Sequence, residues 1–308
     1  MRISVVGAGG VGGYFGSVLA RAGHDVSFVA RGEHLAAIQE RGLTVHSAGQ
    51  TWTVPVAADS RISGQSPDLV IIAVKAKDTD DVAREVSGHL KHETVVLSLQ
   101  NGVSARQVLG ATMKESHLIG GATYISAFIT GPGEVTHHGS LQRIVVGEYS
   151  SSRPGSAQEA ATAFAAAGID VDLSHDITRV LWEKYVFLVG LSSTTALMRA
   201  PIGVVRTNQR SRRLLHSAMD EVVAVARASG VSLPRDLADE RLRFCDTLPF
   251  EMTSSMANDL MGGKPLELSW LSANVSAMAA ALPQVQTPVN DVVASALAPF
   301  EDGAPARS

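Results

Sequence analysis

Cysteine and aromatic residues are scarce in this sequence. Cys245 is the only cysteine among 308 residues, so the chain cannot form an internal disulfide. This excludes a small disulfide-stabilised scaffold, and we expect Cys245 to be a buried, small apolar residue. Aromatic residues make up only 5% of the chain, although 45% of it is hydrophobic. Its cores must therefore be built mainly from Ala, Val and Leu.

A strong excess of one charge and a long apolar run are also missing. The formal net charge is -4 and the pI is near 6.2, which gives no electrostatic reason to bind nucleic acid or an acidic membrane. No stretch approaches the ~18 apolar residues that span a bilayer. The apolar N-terminus carries Arg2 and then breaks into glycines, unlike a secretory signal. We therefore expect a cytoplasmic protein whose partners are small molecules.

Two sequence patterns divide the chain. Up to about residue 175, short β-branched runs alternate with helical stretches, which predicts an α/β domain with a parallel sheet of the Rossmann type. From residue 176 onward the signals are those of helices, with Thr287-Pro288 as a helix start and Gly230 as a helix stop. We therefore predict a dinucleotide-binding domain over residues 1–175 and an all-helical domain for substrate binding and dimerisation over residues 176–308.

The predicted strands differ in how much they are expected to be buried. The run from Asp68 to Val74 has no polar alternation, as expected for a strand that is covered on both faces. The turn sequence Gly131-Pro132-Gly133 indicates an added antiparallel section between residues 130 and 139. The predicted strands are Ile3–Val6, Val26–Val29, Leu69–Val74, Val95–Leu99, Leu118–Gly121, Ile144–Val146 and Ile169–Leu173.

A glycine-rich turn follows the first predicted strand and opens a helix, with the sequence Gly7-Ala8-Gly9-Gly10-Val11-Gly12. Small residues let the backbone turn sharply and approach a pyrophosphate, whose charge lies on the N-terminal amides of the helix. The motif alone would be weak, but its strand–turn–helix context is the correct one. We predict that these six residues bind a nicotinamide dinucleotide.

The end of the second predicted strand indicates which dinucleotide is bound. An NAD enzyme places an acid there against the ribose 2′-hydroxyl, whereas this chain has Arg31. A guanidinium can contact the 2′-phosphate of NADP, which an acid would repel. Glu33 could swing back towards the ribose and weaken this preference. The sequence therefore favours NADPH as the cofactor.

Two further loops leave the ends of predicted strands, where an open α/β sheet binds its ligands. Lys75 follows one strand and could lie beside the cofactor or the substrate, and Asn101 follows the next and could hydrogen-bond the nicotinamide ribose or the substrate. Each has a simpler explanation, because an exposed lysine is common and Asn-Gly is a frequent turn.

Three polar residues in the second half are candidates for catalysis or binding. Lys184 is embedded in the apolar helical segment from Val180 to Leu191. It could lie at the helix edge or pair with Glu183, or it could donate the proton that a carbonyl oxygen needs during hydride transfer. Ser255 and Glu267 lie near predicted helix starts, where either could simply stabilise the helix end or could contact ligands.

Together and in this order, these residues resemble the ketopantoate reductase (2-dehydropantoate 2-reductase) family over nearly the whole chain. The matching segments are GAGGVGGYFG, Arg31, VKAKDT, QNGV, WEKYVF, TSSM and the glutamate of KPLELSW. The resemblance implies a Rossmann domain joined to a helical domain of the 6-phosphogluconate dehydrogenase type, and reduction of a 2-oxo acid by NADPH.

The resemblance also implies roles for individual residues. Lys184 would be the proton donor and Asn101 would contact both cofactor and substrate. Ser255 would hold the substrate, and Glu267 would lie beside the cofactor. Lys75 matches within VKAKDT. The expected reaction is conversion of 2-dehydropantoate to pantoate, with Lys184 reaching the cofactor from the helical domain.

The chain departs from the family pattern in the expected substrate site. The family usually has asparagines four and eight residues after the lysine and another polar residue after a later proline; here these positions are Leu188, Ser192 and Ile202. Leu188 and Ser192 share a helical face with Lys184, so we expect both to contact substrate. Losing amides that bind a polar group costs about 1–3 kcal/mol each. The alternative is therefore an NADP-dependent reductase of a bulkier, more apolar ketone, imine or oxo acid.

Other signals carry less functional weight. His137 and His138 are adjacent on a predicted strand and point to opposite faces, so we predict no metal site. A basic run indicates a solvated helix face, a subunit contact or a cofactor phosphate contact, and consists of Arg206, Arg210, Arg212 and Arg213. A non-catalytic NADP-binding regulator is the alternative from another class, but it would not need Lys184. We expect a homodimer that binds neither nucleic acid nor membrane.

Overall fold

The computed structural model describes residues 1–303. The chain forms two compact units, the first from Met1 to Val180 and the second beginning at Leu181. The predicted boundary at residue 175 precedes a long helix, whereas the two units divide inside the first turn of that helix. Each unit has its own secondary-structure composition and is described separately.

All strands belong to one ten-stranded sheet in the first unit. Their order along the main path is β4-β3-β9-β8-β7-β6-β1-β2-β5, with β10 paired to β9. The strands are β1 (Arg2–Val6), β2 (Asp25–Val29), β3 (Leu43–Ser47), β4 (Gln50–Val54), β5 (Ala57–Asp59), β6 (Leu69–Ile72), β7 (Val95–Ser98), β8 (Leu118–Gly131), β9 (Glu134–Glu148) and β10 (Asp170–Ser174).

The centre of the sheet is parallel, as predicted. β1 pairs in parallel with β2 and β6, and β6, β7 and β8 continue the parallel arrangement. All four residues of β6 are fully buried, which confirms the interpretation of the apolar run that starts after Asp68. A parallel arrangement brings the carboxyl ends of these strands to one edge.

The antiparallel section is larger than the sequence predicts. β8 and β9 form a long hairpin around the turn at Pro132 and Gly133, and β3 pairs antiparallel with β4. The predicted strands Leu118–Gly121 and Ile144–Val146 are only the buried parts of β8 and β9. The antiparallel section predicted at residues 130–139 is the tip of this hairpin, whereas its full length and β3, β4 and β5 were not predicted. β4 and β5 are short, partly exposed strands that lack the apolar runs that identify a central strand.

Helices cover the sheet and fill the connections of the first unit. They are α1 (Gly10–Arg21), α2 (Gly32–Arg41), α3 (Thr79–Ser87), α4 (Ala105–Gly110) and α5 (Ser156–Ala166). α1 packs closely because it presents glycines to the sheet: a Cβ added at Gly16 would lie 2.6 Å from the ring of Phe28.

Beyond β10, the described residues contain helices and turns but no strand, which confirms the all-helical second domain. The helices are α6 (Ile177–Met198), α7 (Ile202–Thr207), α8 (Gln209–Ala228), α9 (Leu237–Thr247), α10 (Ser255–Met261), α11 (Ser272–Ala280) and α12 (Pro288–Leu297), with 3-10 turns at Leu268–Trp270 and Ala298–Phe300. Thr287 is the N-cap of α12, and Gly230 follows α8 with a φ of +86°, both as predicted. Cys245 is fully buried, also as predicted.

Two of the four arginines of the basic run, which spans α7 and the start of α8, make contacts within the unit, whereas Arg210 and Arg213 are exposed. Arg206 donates to the carbonyl oxygens of Cys245 and Leu248 at 2.6 and 2.7 Å and so completes the end of α9. Arg212 forms a bidentate ion pair with Asp246, in which its two Nη atoms lie 2.5 and 2.8 Å from the two carboxylate oxygens. These contacts could not be predicted because the partners lie over 30 residues away in sequence. Within residues 1–303, no helix is both long and apolar enough to cross a membrane.

Candidate active site

The predicted cofactor residues of the first unit lie at one edge of its sheet. The glycine-rich turn follows β1 and Arg31 follows β2, while Lys75 follows β6 and Asn101 follows β7. These four strands are adjacent and parallel, in the order β7-β6-β1-β2. The fold therefore brings together at one edge residues that are up to 94 positions apart in the sequence.

The turn between β1 and α1 is suited to an anionic ligand. Gly7 has a φ of +106°, and a Cβ there would lie 2.7 Å from the backbone nitrogen of Val74. Gly9 is the N-cap of α1, and a Cβ there would meet nothing within 4 Å. No side chain caps this helix, and its first turn carries no acidic residue. The uncapped helix start and the open space at Gly9 fit the pyrophosphate of a dinucleotide.

Not all residues of the motif are open to a ligand. A Cβ at Gly10 would lie 2.0 Å from the carbonyl oxygen of Ala127 on β8, and one at Gly12 would lie 2.1 Å from the carbonyl oxygen of Gly7. These two glycines allow α1 to pack against the sheet. Ala8 is buried and Val11 is half-buried.

His34 fixes the turn through its imidazole ring, a contact that the sequence did not predict. The backbone N–H of Gly133 donates to Nδ1 at 3.0 Å, so Nδ1 must be unprotonated. Nε2 then carries the hydrogen and donates to the carbonyl oxygen of Ala8 at 2.8 Å. The neutral ring therefore joins the glycine-rich turn to the turn of the β8–β9 hairpin. These partners lie 26 and 99 positions away, so no local pattern could have identified them.

Arg31 is the N-cap of α2, and its side chain is 67% exposed. Its Nη1 lies 3.5 Å from Oδ1 of Asp78, which ends the short 3-10 turn Ala76–Asp78. Glu33 lies in the first turn of α2 and is also exposed. The arginine is thus accessible at the end of β2, where the sequence predicted it.

A buried glutamine holds the loops that carry Lys75 and Asn101. The side-chain amide of Gln100 donates to the carbonyl oxygen of Val74 at 3.2 Å and to the hydroxyl of Thr79 at 2.7 Å. Thr79 in turn donates to the carbonyl oxygen of Ala76 at 2.6 Å. Gln100 lies within the QNGV segment, but its position next to Asn101 gave no indication of this bracing role. Lys75 is exposed and Asn101 is half-buried.

In the second unit, Lys184 and Glu267 lie close enough to interact electrostatically. Burial of the Lys184 amino group lowers its pKa to about 8, while the Glu267 carboxylate acts in the opposite direction. Desolvation is the larger effect because a charged ammonium group loses its hydration on burial. A lysine with a pKa near 8 can release and recover a proton close to neutral pH.

Tyr185 fixes the segment that carries Glu267 against the helix that carries Lys184. Its hydroxyl lies 2.9 Å from the carbonyl oxygen of Leu271 and 3.1 Å from that of Trp270, just after the 3-10 turn that Glu267 precedes. The side chain of Asn274 donates to the same hydroxyl at 3.3 Å. Burial raises the pKa of Tyr185, so the hydroxyl stays protonated and able to donate. Tyr185 lies among apolar residues in this helix, so no sequence pattern distinguishes it from its neighbours.

Leu188 and Ser192 lie on α6 at four and eight residues from Lys184, which places them on the same helical face. Leu188 is half-buried and Ser192 is only 3% exposed. Ile202 is fully buried at the start of α7, where its backbone N–H donates to the carbonyl oxygen of Met252 at 2.8 Å. The side chains at these three positions are therefore less polar than the asparagines and the further polar residue that the family usually has there.

Ser255 begins α10 and is exposed, but the N-cap is its neighbour Ser254. The hydroxyl of Ser254 accepts from the backbone N–H of Ala257 at 3.0 Å and lies 2.8 Å from that of Thr195. Because Thr195 donates to the carbonyl oxygen of Leu191 at 2.6 Å, Ser254 must donate to Thr195. A buried hydroxyl chain thus ties the start of α10 to α6 and leaves the Ser255 side chain exposed.

The paired histidines are engaged in the sheet. His137 is buried, with its ring nitrogens 2.8 Å from the Ser47 hydroxyl and 3.0 Å from the Leu141 carbonyl oxygen. His138 stacks on Phe128. Among residues 1–303, no group of three or more histidine, cysteine or acidic residues is arranged to hold a metal ion.

Two family models match the chain on either side of the predicted boundary. One is described as ketopantoate reductase PanE/ApbA and matches residues 3–151, and the other is described as the C terminal of the same protein and matches residues 176–301. The chain belongs to the ketopantoate reductase PanE/ApbA family. This confirms the resemblance on which the predicted fold and reaction type depended.

Individual members of the ketopantoate reductase family align over most of the chain. The 2-dehydropantoate 2-reductase of Halobacterium salinarum is 32% identical over 279 residues, which are 89% of this chain and 91% of that relative. The crystal structure of a PanE/ApbA family ketopantoate reductase from Ralstonia eutropha JMP134 is 34% identical, has a TM-score of 0.89 and covers 98% and 99% of the two chains. The chain is therefore an oxidoreductase that acts on a CH–OH/C=O group.

A more distant structure shares the fold. It is the ternary structure of D-mandelate dehydrogenase with NADH and anilino(oxo)acetate, which is 21% identical, has a TM-score of 0.90 and covers 98% and 99% of the two chains. Membership of a reductase family, together with the dinucleotide-type turn of the first unit, indicates a nicotinamide cofactor.

Proposed function

We propose that this protein reduces the carbonyl group of a 2-oxo acid with NADPH, with 2-dehydropantoate as the first candidate substrate. The lowered pKa of Lys184, in an apolar helix and close to Glu267, is the observation that carries the proposal. The residues at the sheet edge of the first unit fit the cofactor, because an uncapped helix start and an exposed arginine suit its phosphates.

Lys184 supplies the proton in this proposal. When bound, the nicotinamide supplies a hydride to the carbonyl carbon. The oxygen then gains negative charge, and Lys184 Nζ donates a proton to it, which leaves a 2-hydroxy acid and a neutral amine. The amine recovers its proton from water. Glu267 favours the protonated form of Lys184, and Tyr185 holds the segment that carries Glu267.

Arg31 supports the choice of NADPH over NADH. It stands where NAD enzymes place an acid, and its guanidinium is accessible. NADPH should therefore bind more tightly than NADH, and Arg31→Ala should remove most of the difference. Titration of each cofactor by its fluorescence measures the two dissociation constants. Equal affinities in the unmutated protein would contradict this assignment.

Asn101, Ser255, Lys75 and Glu267 keep the roles predicted for them as part of the same proposal. Asn101 and Ser255 bind the substrate, with Asn101 also contacting the cofactor, and Lys75 and Glu267 lie beside the cofactor. A screen of 2-oxo acids and ketones for NADPH oxidation, with 2-dehydropantoate included, tests the reaction directly. NADPH oxidation with none of these compounds would contradict the proposed substrate class.

The face of α6 favours a second candidate substrate class. Leu188 and Ser192 lie about 6 and 12 Å along the helix axis from Lys184. A substrate that accepts a proton from Lys184 can therefore also contact them. An apolar side chain there favours the binding of a substrate with an apolar group and leaves a substrate hydroxyl without a hydrogen-bond partner. The D-mandelate dehydrogenase that shares the fold was solved with anilino(oxo)acetate, a 2-oxo compound with an aromatic substituent. The second candidate is therefore a bulkier, more apolar 2-oxo acid, ketone or imine.

A double variant separates the two candidates. Leu188→Asn combined with Ser192→Asn should raise kcat/KM for 2-dehydropantoate relative to a 2-oxo acid with an apolar tail, by about thirtyfold or more if each amide contributes about 1–3 kcal/mol. The ratio of the two substrates serves as an internal control, because a general loss of folding lowers both values. High efficiency on 2-dehydropantoate before mutation would show that these positions do not decide specificity.

A homodimer remains part of the proposal. Three large apolar side chains of the second unit are nearly half exposed, and burying them against a second copy would be favourable: Val204, Phe244 and Phe250. Sedimentation of the purified protein measures its oligomeric state.

A further inference from the structure

The ion pair between Arg31 and Asp78 places a carboxylate beside the arginine that would bind the cofactor 2′-phosphate. The two side chains approach to 3.5 Å, and they are 67% and 30% exposed. They come from separate segments, since Arg31 follows β2 and Asp78 ends the turn after β6. β2 and β6 flank β1 on either side, so the fold itself brings this acid to the edge where Arg31 lies.

The backbone that carries Asp78 is held more firmly than the side chain of Arg31. The backbone N–H of Asp78 donates to the carbonyl oxygen of Lys75 at 3.0 Å, which closes the turn. The next residue, Thr79, donates to Ala76 and accepts from the buried Gln100. Arg31, in contrast, has a long exposed side chain that can rotate away from its partner. When the arginine turns to a ligand, Asp78 therefore remains close to this edge of the sheet.

We propose that Asp78 is a specificity-determining residue that limits the preference of this protein for NADPH over NADH. A 2′-phosphate carries close to two negative charges, so it must compete with Asp78 for Arg31 and also experience repulsion from the carboxylate. A ribose 2′-hydroxyl carries no charge and can donate a hydrogen bond to a carboxylate. Both effects act in the same direction. The inference rests on the proposed role of Arg31 in binding the cofactor.

If this ion pair had a purely structural role, its removal would lower the melting temperature and leave the cofactor choice unchanged. Exposed ion pairs contribute little to the free energy of unfolding, so we expect the loss of this pair to have little effect on stability. Removing the charge of Asp78 should therefore leave the melting temperature unchanged while it alters cofactor choice. A matched control exists on the next helix, where Asp81 pairs with Arg84 and is more exposed.

The test compares the unmutated protein with Asp78→Asn, Asp81→Asn and Arg31→Ala. Each protein is titrated with NADPH and with NADH at low and high salt. Asp78→Asn should raise the ratio of the NADH to the NADPH dissociation constant about five- to tenfold at low salt, and the effect should shrink at high salt because charges are screened. Asp81→Asn should leave the ratio unchanged.

The outcomes distinguish this inference from the proposed cofactor choice. An unchanged ratio in Asp78→Asn, while Arg31→Ala still removes the preference for NADPH, overturns the inference alone. A fall in the ratio also overturns it, because Asp78 would then be orienting Arg31 towards the phosphate. If the unmutated protein does not distinguish the cofactors, a gain of NADPH preference in Asp78→Asn supports the inference, and no gain overturns it.

Discussion

The two units form their candidate binding surfaces in different ways. In the first unit, the glycine-rich turn presents backbone amides and open space at Gly9. The side chains of His34 and Gln100 hydrogen-bond to backbone carbonyl groups and so hold the turn and the neighbouring loops in place. In the second unit, chemistry depends on the side chains of Lys184 and Glu267, with Tyr185 holding the segment next to them. The binding surface of the first unit consists of backbone groups whose positions follow from the fold, whereas the candidate chemistry of the second unit depends on the side-chain atoms of a few residues.

The largest effect should come from Lys184→Ala. Removal of a positioned proton donor typically lowers turnover by about 10²–10⁴-fold, while a surface formed by the other unit should bind NADPH as before. Steady-state kinetics and a fluorescence titration measure the two properties separately. Lys264→Ala provides a control, because Lys264 is an exposed lysine of the same unit. Unchanged turnover in Lys184→Ala would show that the proton comes from another group.

The pH dependence should differ in sign between the two directions of the reaction. Carbonyl reduction needs protonated Lys184, so kcat should fall about tenfold per pH unit above its pKa of about 8. Oxidation of the 2-hydroxy acid needs the neutral amine and should rise with pH up to the same value. Glu267→Gln should move both breaks to lower pH, because this carboxylate raises the pKa of Lys184. Profiles that keep their breaks in Glu267→Gln would argue against this electrostatic contact.

The smallest effects should separate two neighbouring glycines of the first unit. Gly10→Ala should lower the free energy of unfolding by about 1–3 kcal/mol, because its Cβ would meet Ala127 at 2.0 Å. Gly9→Ala should lower stability less, by about 1 kcal/mol or below, because nothing lies within 4 Å and only the N-cap preference is lost, yet it should weaken dinucleotide binding. Denaturant titration without cofactor and binding assays measure the two effects. Equal losses of stability in both variants would mean that Gly9 is also a packing residue.

The sequence predicted the parts of the fold that depend on local patterns. β6 is a continuous apolar run, β1, β2 and β7 are short segments rich in Val and Ile, and helix ends at Thr287 and Gly230 follow from capping chemistry. The hairpin of β8 and β9 was predicted too short, since most of its outer residues are partly or fully exposed and those of β9 are mainly polar. Pairing with distant strands, rather than local propensity, keeps those residues extended.

The candidate site was predicted to a similar extent. Residues at strand ends could be identified because parallel strands end at one edge, which is how the sequence indicated Arg31 and Asn101. The supporting residues His34 and Tyr185 could not be identified. Each acts through partners more than 20 positions away, so its role exists only in the folded chain.

The pairing of β9 has a consequence for how the first unit acquires its structure. This strand contacts β8 over most of its length, β3 through Glu134–His137 and β10 through Arg143–Gly147. During synthesis β3 and β4 emerge early, but their place in the sheet exists only after β9 has left the ribosome. Non-local pairings of this kind slow folding. A pause in translation before residue 134 should therefore leave the β3–β4 ribbon open to proteases until the chain extends past Glu148.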